Sequence, residues 1–374
     1  MRRYSSLLGT ALMILAGWAT PAHADSISDT LNVPPGFSIS VFATAPGART
    51  LVVAPELGVL FVSTRVETIY AIPLSDDDGQ HPTYPVLSGL NVANGIAWRD
   101  GYLYVAEQHR LTRYFVPSID ALPDAKPEVL YADLPDKPGH GWRYIAFKPE
   151  SSGDDALYMG IGAPCNVCTT QGLEGTLTRF HAPHFDKPEI VAHGVRNSVG
   201  FDVNPATGVL HFTDNGADGM GDDSPPCELN ALVEGAHYGF PWYGGGHDRT
   251  PQMAHTVAPD SVFPVVAFQA HVAPLGIDFY NGQHFPKDYR GDAFVAQHGS
   301  WNRSSKVGYQ VVRVLFDEAG HVTGQMPFIT GWLRANGTVS GRPVDIEELP
   351  DGSILVSDDR TGRIYRVTYD GASQ

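Results

Sequence analysis

The chain has 374 residues, including 40 glycines and 29 prolines, and it carries 25 basic against 41 acidic residues, a formal net charge of −16. This acidity disfavours binding to nucleic acid or anionic lipid, because both would repel it. The length allows one large all-β domain or two ordinary domains, and the many turn-forming residues without a low-complexity tract indicate tight turns.

The first 24 residues are typical of a secretory signal peptide. Arg2 and Arg3 give a positive start, residues 7–19 are largely apolar, and Ala22-His23-Ala24 is a small-x-small cleavage site. The apolar run is too short to span a membrane, which takes about 20 residues, and no later stretch approaches that length. We therefore predict a mature chain over 25–374 that is periplasmic or secreted and not inserted in a membrane.

A short strand of alternating large apolar residues, preceded by a turn with Gly or Asp, recurs six times. The copies lie at 58–63, 101–106, 155–160, 208–213, 291–296 and 352–357. Further strands flank the copies, and no segment keeps a helical period. The repeat predicts a single all-β domain over 25–374, a six-bladed β-propeller. The strand 38–44 is predicted to complete the last blade, so that the ring has no free edge.

The cysteines are Cys165, Cys168 and Cys227. In an exported protein, the C-x-x-C spacing favours a local structural disulfide between Cys165 and Cys168. A redox motif would need a thioredoxin-like context, zinc would need more ligands, and Thr169 stands where a haem motif needs histidine. Cys227 is left over and is predicted to be buried.

One end of the predicted blades collects polar side chains. In an antiparallel blade, the entry to the inner strand and the exit from the second strand lie at the same end. These positions hold Arg65, Asn94, Glu107, His109, His140, Cys165, Arg196, Asn197, Asp214, Asn215, His271, His298, Asn302, Arg342, Asp358 and Asp359. Such a ring suits a small polyanionic ligand over the central channel, although turns in any propeller are polar.

Three positions favour particular roles. His140 suits a general base near neutral pH, against the alternative of a surface histidine. Arg196 beside Asn197 suits the polarisation of a carbonyl, against an arginine that only bonds loop carbonyls. Arg342 suits the binding of a carboxylate at the same mouth.

The stretch 214–223 is rich in Asp and Gly and predicts calcium, bound through the carbonyls of Gly216 and Ala217 or through nearby carboxylates. It is not an EF-hand, because Pro225 stands where the bidentate glutamate belongs. The alternative is a solvated turn.

The motifs at 139–142, 162–168, 194–198, 212–216, 298–303 and 341–344 together resemble the L-sorbosone dehydrogenase branch of the glucose/sorbosone dehydrogenase family. The resemblance spans nearly the whole mature chain. It implies bound pyrroloquinoline quinone, usually with calcium, and oxidation of a sugar or sugar aldehyde (sorbosone or an aldose) by hydride transfer to the quinone.

The resemblance also implies residue roles. His140 matches the family's base, Arg196 and Asn197 match the pair at the reactive carbonyl, and Gly216 and Ala217 match the calcium-binding carbonyls. The resulting cofactor-binding set is Arg65, Asn94, Arg196, Asn197, His298, Arg303 and Arg342.

Three departures from the glucose dehydrogenases stand out. Gly139 stands where those enzymes have Asp, and Val344 stands in place of a second arginine. Their cofactor-binding lysine has no clear match, and Arg303 or Lys306 could bind the cofactor in its place.

Two other functions stay open at this point. One is a calcium-dependent lactonase, because hydrolytic propellers also use polar residues at one mouth, and the other is a non-catalytic carbohydrate-binding propeller. The dehydrogenase hypothesis implies a small sugar as substrate and a soluble or membrane-bound electron acceptor. The sequence identifies neither the sugar nor the acceptor.

Overall fold

The computed structural model describes residues 30–74, 80–149 and 155–371, so the predicted signal peptide lies outside the described residues. The described residues form six sheets, one with five strands and the others with four, arranged as the blades of a β-propeller. The predicted fold class is therefore confirmed. Within these ranges, no helix is long and apolar enough to cross a membrane.

The strands are short and follow one another along the chain. In the described residues they are β1 (Phe37–Thr44), β2 (Ala48–Ala54), β3 (Val59–Thr64), β4 (Ile69–Pro73), β5 (Tyr84–Leu87), β6 (Gly95–Arg99), β7 (Tyr102–Ala106), β8 (Leu111–Phe115), β9 (Glu128–Tyr131), β10 (Tyr144–Pro149), β11 (Asp155–Ile161), β12 (Thr176–His181), β13 (Pro188–His193), β14 (Phe201–Val203), β15 (Leu210–Asp214), β16 (Cys227–Ala231), β17 (Ala236–His237), β18 (Val266–Phe268), β19 (Pro274–Phe279), β20 (Ala293–Gln297), β21 (Gln310–Phe316), β22 (Val322–Ile329), β23 (Pro343–Glu348), β24 (Ile354–Asp358) and β25 (Arg363–Tyr369). Short 3₁₀ segments occur at Pro55–Leu57, Ile119–Asp124, Pro251–Met253 and Lys287–Tyr289.

The six repeat copies form the second strand of each blade, namely β3, β7, β11, β15, β20 and β24. The ring closes as predicted, because β1 pairs antiparallel with β25 and places Phe37 opposite Tyr369. The strand β1 thus supplies the outer edge of the last blade, and closure joins the first and last strands of the described residues.

One blade departs from the regular pattern. The two-residue strand β17 pairs parallel with β13 of the preceding blade, which gives that sheet its fifth strand. It lies in the long connection between β16 and β18. This connection therefore spans two blades at the outer side of the ring.

Carboxylates of inner strands hold neighbouring blades together. The Leu51 N–H donates to Asp345 Oδ2 at 2.9 Å, and the Phe279 N–H donates to Asp202 Oδ2 at 2.6 Å. Burial raises the pKa of Asp345 to about 7, and burial together with the charge of Asp202 raises the pKa of Asp278 well above its usual range. Sequence analysis did not identify this buried acidic cluster.

Candidate active site

A cavity of about 420 Å³ opens at the face where the inner strands begin. The topology brings most of the predicted site residues to its lining, namely Arg65, His140, Arg196, Asn197, Gly216, His298 and Arg342. The lining also holds side chains to which sequence analysis gave no role, among them Arg49, Trp142 and Trp301. Because Trp301 is 74% exposed, it forms part of the rim.

His140 precedes β10 and is fixed as a neutral imidazole. Its backbone has a positive φ of 45°, and Nδ1 lies 2.6 Å from the Ala163 carbonyl oxygen. Since a carbonyl only accepts, Nδ1 carries the proton and Nε2 keeps its lone pair. Burial, and then the charge of Arg196, lower the pKa of His140 to about 4. Nε2 has no hydrogen-bond partner among the described residues, so it is available to accept a proton from a ligand.

Arg196 is buried, and each of the three nitrogens of its guanidinium has a protein partner. Nε donates to the Asn166 carbonyl at 3.0 Å, and Nη1 donates to the Asn215 carbonyl at 3.0 Å. Nη2 pairs with the Asp218 carboxylate at 3.1 Å. Burial lowers the pKa of Arg196, yet the group stays cationic beside His140 because the ordinary pKa of an arginine is so high.

Asn197 presents an unsatisfied polar group in the same wall. Asp214 fixes the backbone here, because its carboxylate accepts the N–H groups of Arg196 at 2.8 Å and Asn197 at 2.6 Å. The Asn197 side chain lines the cavity, and its Oδ1 is buried without a hydrogen-bond partner. A buried acceptor of this kind is costly unless a ligand or water donates to it.

Two arginines give the cavity a positive wall. Arg342 donates to the carbonyls of His298 at 3.1 Å and Gly299 at 2.6 Å. Arg65 is exposed, and its guanidinium lies 5.0 Å from the centre of the Trp142 ring. Arg65 makes no hydrogen bond or ion pair with any described residue. Both cations suit the binding of carboxylates.

Arg49 is a third cation of the lining, and it is already paired. Its Nη1 lies 2.8 Å from Asp359, whose other oxygen accepts from His298 Nε2 at 2.9 Å. Burial lowers the pKa of His298 to about 4, so its ring is neutral. Sequence analysis missed Arg49 because it lies inside β2 rather than before it.

Two residues of the predicted cofactor-binding set do not line the cavity. Asn94 is buried behind Arg49, where its Oδ1 accepts from the Arg49 guanidinium and its Nδ2 donates to the Arg143 carbonyl. Arg303 instead donates to the carbonyl of Asp222 and pairs with Asp223 at 3.2 Å. It therefore braces the acidic loop instead of facing the cavity.

The predicted calcium ligands lie in the loop after β15. Gly216 lines the cavity, whereas Ala217 is buried and its N–H donates to the Gly244 carbonyl at 2.7 Å. No backbone N–H of the described residues donates to either predicted carbonyl ligand. Within the described ranges, no three His, Cys, Asp or Glu side chains are grouped to hold a metal ion, so calcium here would depend on backbone carbonyls.

Cys165 and Cys168 form a disulfide with their Cα atoms 6.1 Å apart, and Cys227 is free and buried.

Gly139 lies against the segment that leads into this disulfide. A Cβ at position 139 would lie 2.2 Å from the Pro164 carbonyl oxygen, so the space of an aspartate side chain is occupied by backbone.

Gly139→Ala is therefore expected to destabilise the protein by about 1–3 kcal/mol, because backbone must shift to admit the methyl group. Thermal unfolding measures the change. The control is Gly324→Ala, where the added Cβ meets only an ordinary contact at 3.6 Å. Equal melting temperatures for the two variants would contradict the predicted clash.

The comparisons with known proteins identify a full-length relative. An uncharacterized protein of Borreliella burgdorferi is 33% identical over 392 residues, covering 99% of this chain and 98% of that protein. The chain belongs to the family of this protein. Residues 247–370 also match the family model described as TrAA12-like.

Solved structures share the fold. The calcium structure of Trichoderma reesei Carbohydrate-Active Enzymes Family AA12 has a TM-score of 0.75 at 19% identity, covering 91% of this chain and 97% of that one. The holo form of the pyranose dehydrogenase PQQ domain from Coprinopsis cinerea has a TM-score of 0.74 at 17% identity, covering 90% and 97%. At these identities the likeness concerns the propeller fold.

Proposed function

We propose that this protein is an oxidoreductase that uses pyrroloquinoline quinone to oxidise a sugar or sugar-derived aldehyde. The observation that carries the proposal is His140, a neutral imidazole whose Nδ1 is committed to the Ala163 carbonyl and whose Nε2 is open at a cavity wall shared with Arg196. The names of the structural neighbours, a carbohydrate-active enzyme and a pyranose dehydrogenase PQQ domain, support the same class of reaction.

The residues present fit the quinone, a planar tricarboxylate. Arg342 and Arg65 offer guanidinium groups for its carboxylates, and Arg196 offers a cation for its reactive carbonyl. The unpartnered Asn197 Oδ1 needs a donor, which a substrate hydroxyl would supply. Calcium, where it binds, would use the carbonyls of Gly216 and Ala217.

The chemistry divides between the cofactor and the chain. When bound, the quinone supplies an acceptor for the hydride equivalent removed from the substrate carbon. His140 Nε2 takes the proton of the substrate hydroxyl, while the Ala163 carbonyl stabilises the resulting imidazolium through Nδ1–H. The nearby Arg196 charge disfavours the imidazolium, so the proton is passed on before the next turnover.

The finer assignments belong to the same proposal. The substrate is sorbosone or an aldose, the electron acceptor is a separate soluble or membrane-bound carrier, and the protein acts in the periplasm or outside the cell. The leader-like residues 1–24 support this location.

A reconstitution assay tests the proposal. Purified quinone-free protein is loaded with pyrroloquinoline quinone and calcium, and dye reduction is followed against a panel of aldoses and sorbosone. We expect sugar-dependent dye reduction that saturates with quinone and is absent without it. Hydrolysis of sugar lactones by the quinone-free, calcium-loaded protein, with no dye reduction, would instead favour the lactonase alternative.

Arg342→Gln is expected to weaken quinone binding about 10- to 100-fold, because a charge-assisted hydrogen bond to a carboxylate is lost. Fluorescence titration of the quinone measures the affinity. Arg334→Gln, which removes an exposed arginine outside the cavity lining, is the matched control. Equal affinity of the two variants would remove Arg342 from the cofactor site.

A further inference from the structure

The segment 163–168, which we call the disulfide loop, contacts both residues to which the proposed function gives a catalytic role. At one end, the Ala163 carbonyl accepts from His140 Nδ1 at 2.6 Å, and the Ala163 N–H donates to the Arg196 carbonyl at 2.8 Å. In the middle, Asn166 accepts from Arg196 twice, through its carbonyl at 3.0 Å and its side-chain Oδ1 at 2.8 Å. The loop therefore bridges the base and the buried cation.

Asn166 uses all its side-chain polar groups although the residue is exposed. Besides Arg196, its Oδ1 accepts from the Asp218 N–H at 2.7 Å, and its Nδ2 donates to the Asp218 carbonyl at 2.9 Å. Asp218 in turn pairs with the Arg196 guanidinium at 3.1 Å. An exposed asparagine is ordinarily satisfied by water, so three side-chain hydrogen bonds to two protein residues indicate that this side chain fixes a neighbour.

The disulfide limits the motion of this loop. Only Asn166 and Val167 lie between Cys165 and Cys168, so the cross-link closes a very short ring and reduces the conformations open to Asn166. The loop also packs closely against Gly139, which has no side chain and so leaves room for the Pro164 carbonyl. Loss of the cross-link would free the residue that covers Arg196.

We infer that Asn166, held by the Cys165–Cys168 disulfide, is a positioning residue that fixes Arg196 beside His140. Asn166 touches neither reacting atom in this scheme and acts through Arg196. Its consequence for catalysis rests on the proposed function, whereas its effect on the geometry of the quinone-free protein does not.

The test uses Asn166→Ala and the double variant Cys165→Ser/Cys168→Ser in quinone-free protein, with the His140 imidazole titrated by NMR. Burial, Arg196 and then Arg143 hold the pKa of His140 down to about 4 in the intact protein. We expect both variants to raise this pKa toward its ordinary value of about 6.5, because His140 becomes more hydrated and Arg196 moves away. In the loaded enzyme, kcat should fall about 10- to 100-fold, and the acid limb of the pH–rate profile should shift upward.

Asn281→Ala is the matched control, because it truncates an exposed asparagine that lies two residues after the end of β19, whereas the first residues of that strand lie at the cavity. Thermal unfolding of all variants separates a local change from a loss of fold, and Asn166→Ala decides the matter if the double variant does not fold. An unchanged His140 titration in folded Asn166→Ala would overturn the inference. A shifted titration in a protein that oxidises no sugar would uphold the inference and reject the proposed function.

Discussion

His140→Gln loses about 10²- to 10⁴-fold in sugar turnover while retaining quinone binding. Glutamine is similar in size to histidine and still polar, but it has no group that accepts a proton near neutral pH. The arginines proposed to hold the quinone carboxylates, Arg342 and Arg65, are untouched by the change. Binding and turnover should therefore separate.

Steady-state dye reduction and quinone titration measure the two quantities on the same preparation. His184→Gln is the control, because His184 is exposed and lies outside the cavity lining. Near wild-type turnover by His140→Gln would show that another group takes the proton.

The second large effect is a loss of stability as pH rises. Burial raises the pKa of Asp345 to about 7, above the value near 3.9 expected for an unfolded chain. The folded state therefore binds the proton more tightly, and the stabilisation is complete below about pH 3.9 and is lost as pH rises from there to about 7. Each such carboxylate contributes about 1.4 kcal/mol per pH unit within that window.

Buried histidines act in the opposite direction at lower pH. The pKa values of His140 and His298 are lowered to about 4, so the unfolded chain takes up protons first as pH falls below about 6.5. Their stabilising contribution is lost on acidification. Lowering the pH from about 7 should therefore add stability through Asp345, and the two histidines should oppose this gain once the pH falls below about 6.5.

Asp345→Asn tests how much the Asp345 carboxylate contributes to the pH dependence of stability. The variant keeps an oxygen for the Leu51 N–H and carries no charge, so it should melt at a higher temperature than wild type at pH 8. At pH 5, where Asp345 is protonated in the folded state but still ionised in the unfolded chain, this advantage should be clearly smaller. The control is Asp120→Asn, which changes an exposed aspartate. Destabilisation of Asp345→Asn by the same amount at both pH values would contradict the electrostatic explanation.

The fold could be predicted because each blade repeats the same local pattern. The continuous apolar run Ile354 to Val356 in the copy at 352–357 specifies a strand with two packed faces, and the closing strand 38–44 begins with an alternation of serine and apolar residues. The two-residue strand β17 carries no such pattern, because its parallel pairing depends on where a long connection lies in space. Strand bounds and closure follow from periodicity, whereas this pairing does not.

The site could be predicted in part for a related reason. Residues next to strand ends, such as His140 and Arg196, converge because antiparallel topology brings those ends together. Arg49 lies within a strand, and Asn166 acts through partners 30 and 52 residues away along the chain. Neither position is marked by local spacing. Asn94 also lies directly before a strand, yet its side chain is buried behind Arg49.

The most direct test is an anaerobic single-turnover experiment on quinone-loaded protein. Absorbance of the bound quinone is followed after addition of a sugar that supports dye reduction, in wild type and in His140→Gln. We predict reduction of about one quinone per chain in wild type and none on the same timescale in the variant, although both hold the same amount of quinone. Equal reduction in the two proteins, or the failure of wild type to take up quinone, would contradict the proposed active site.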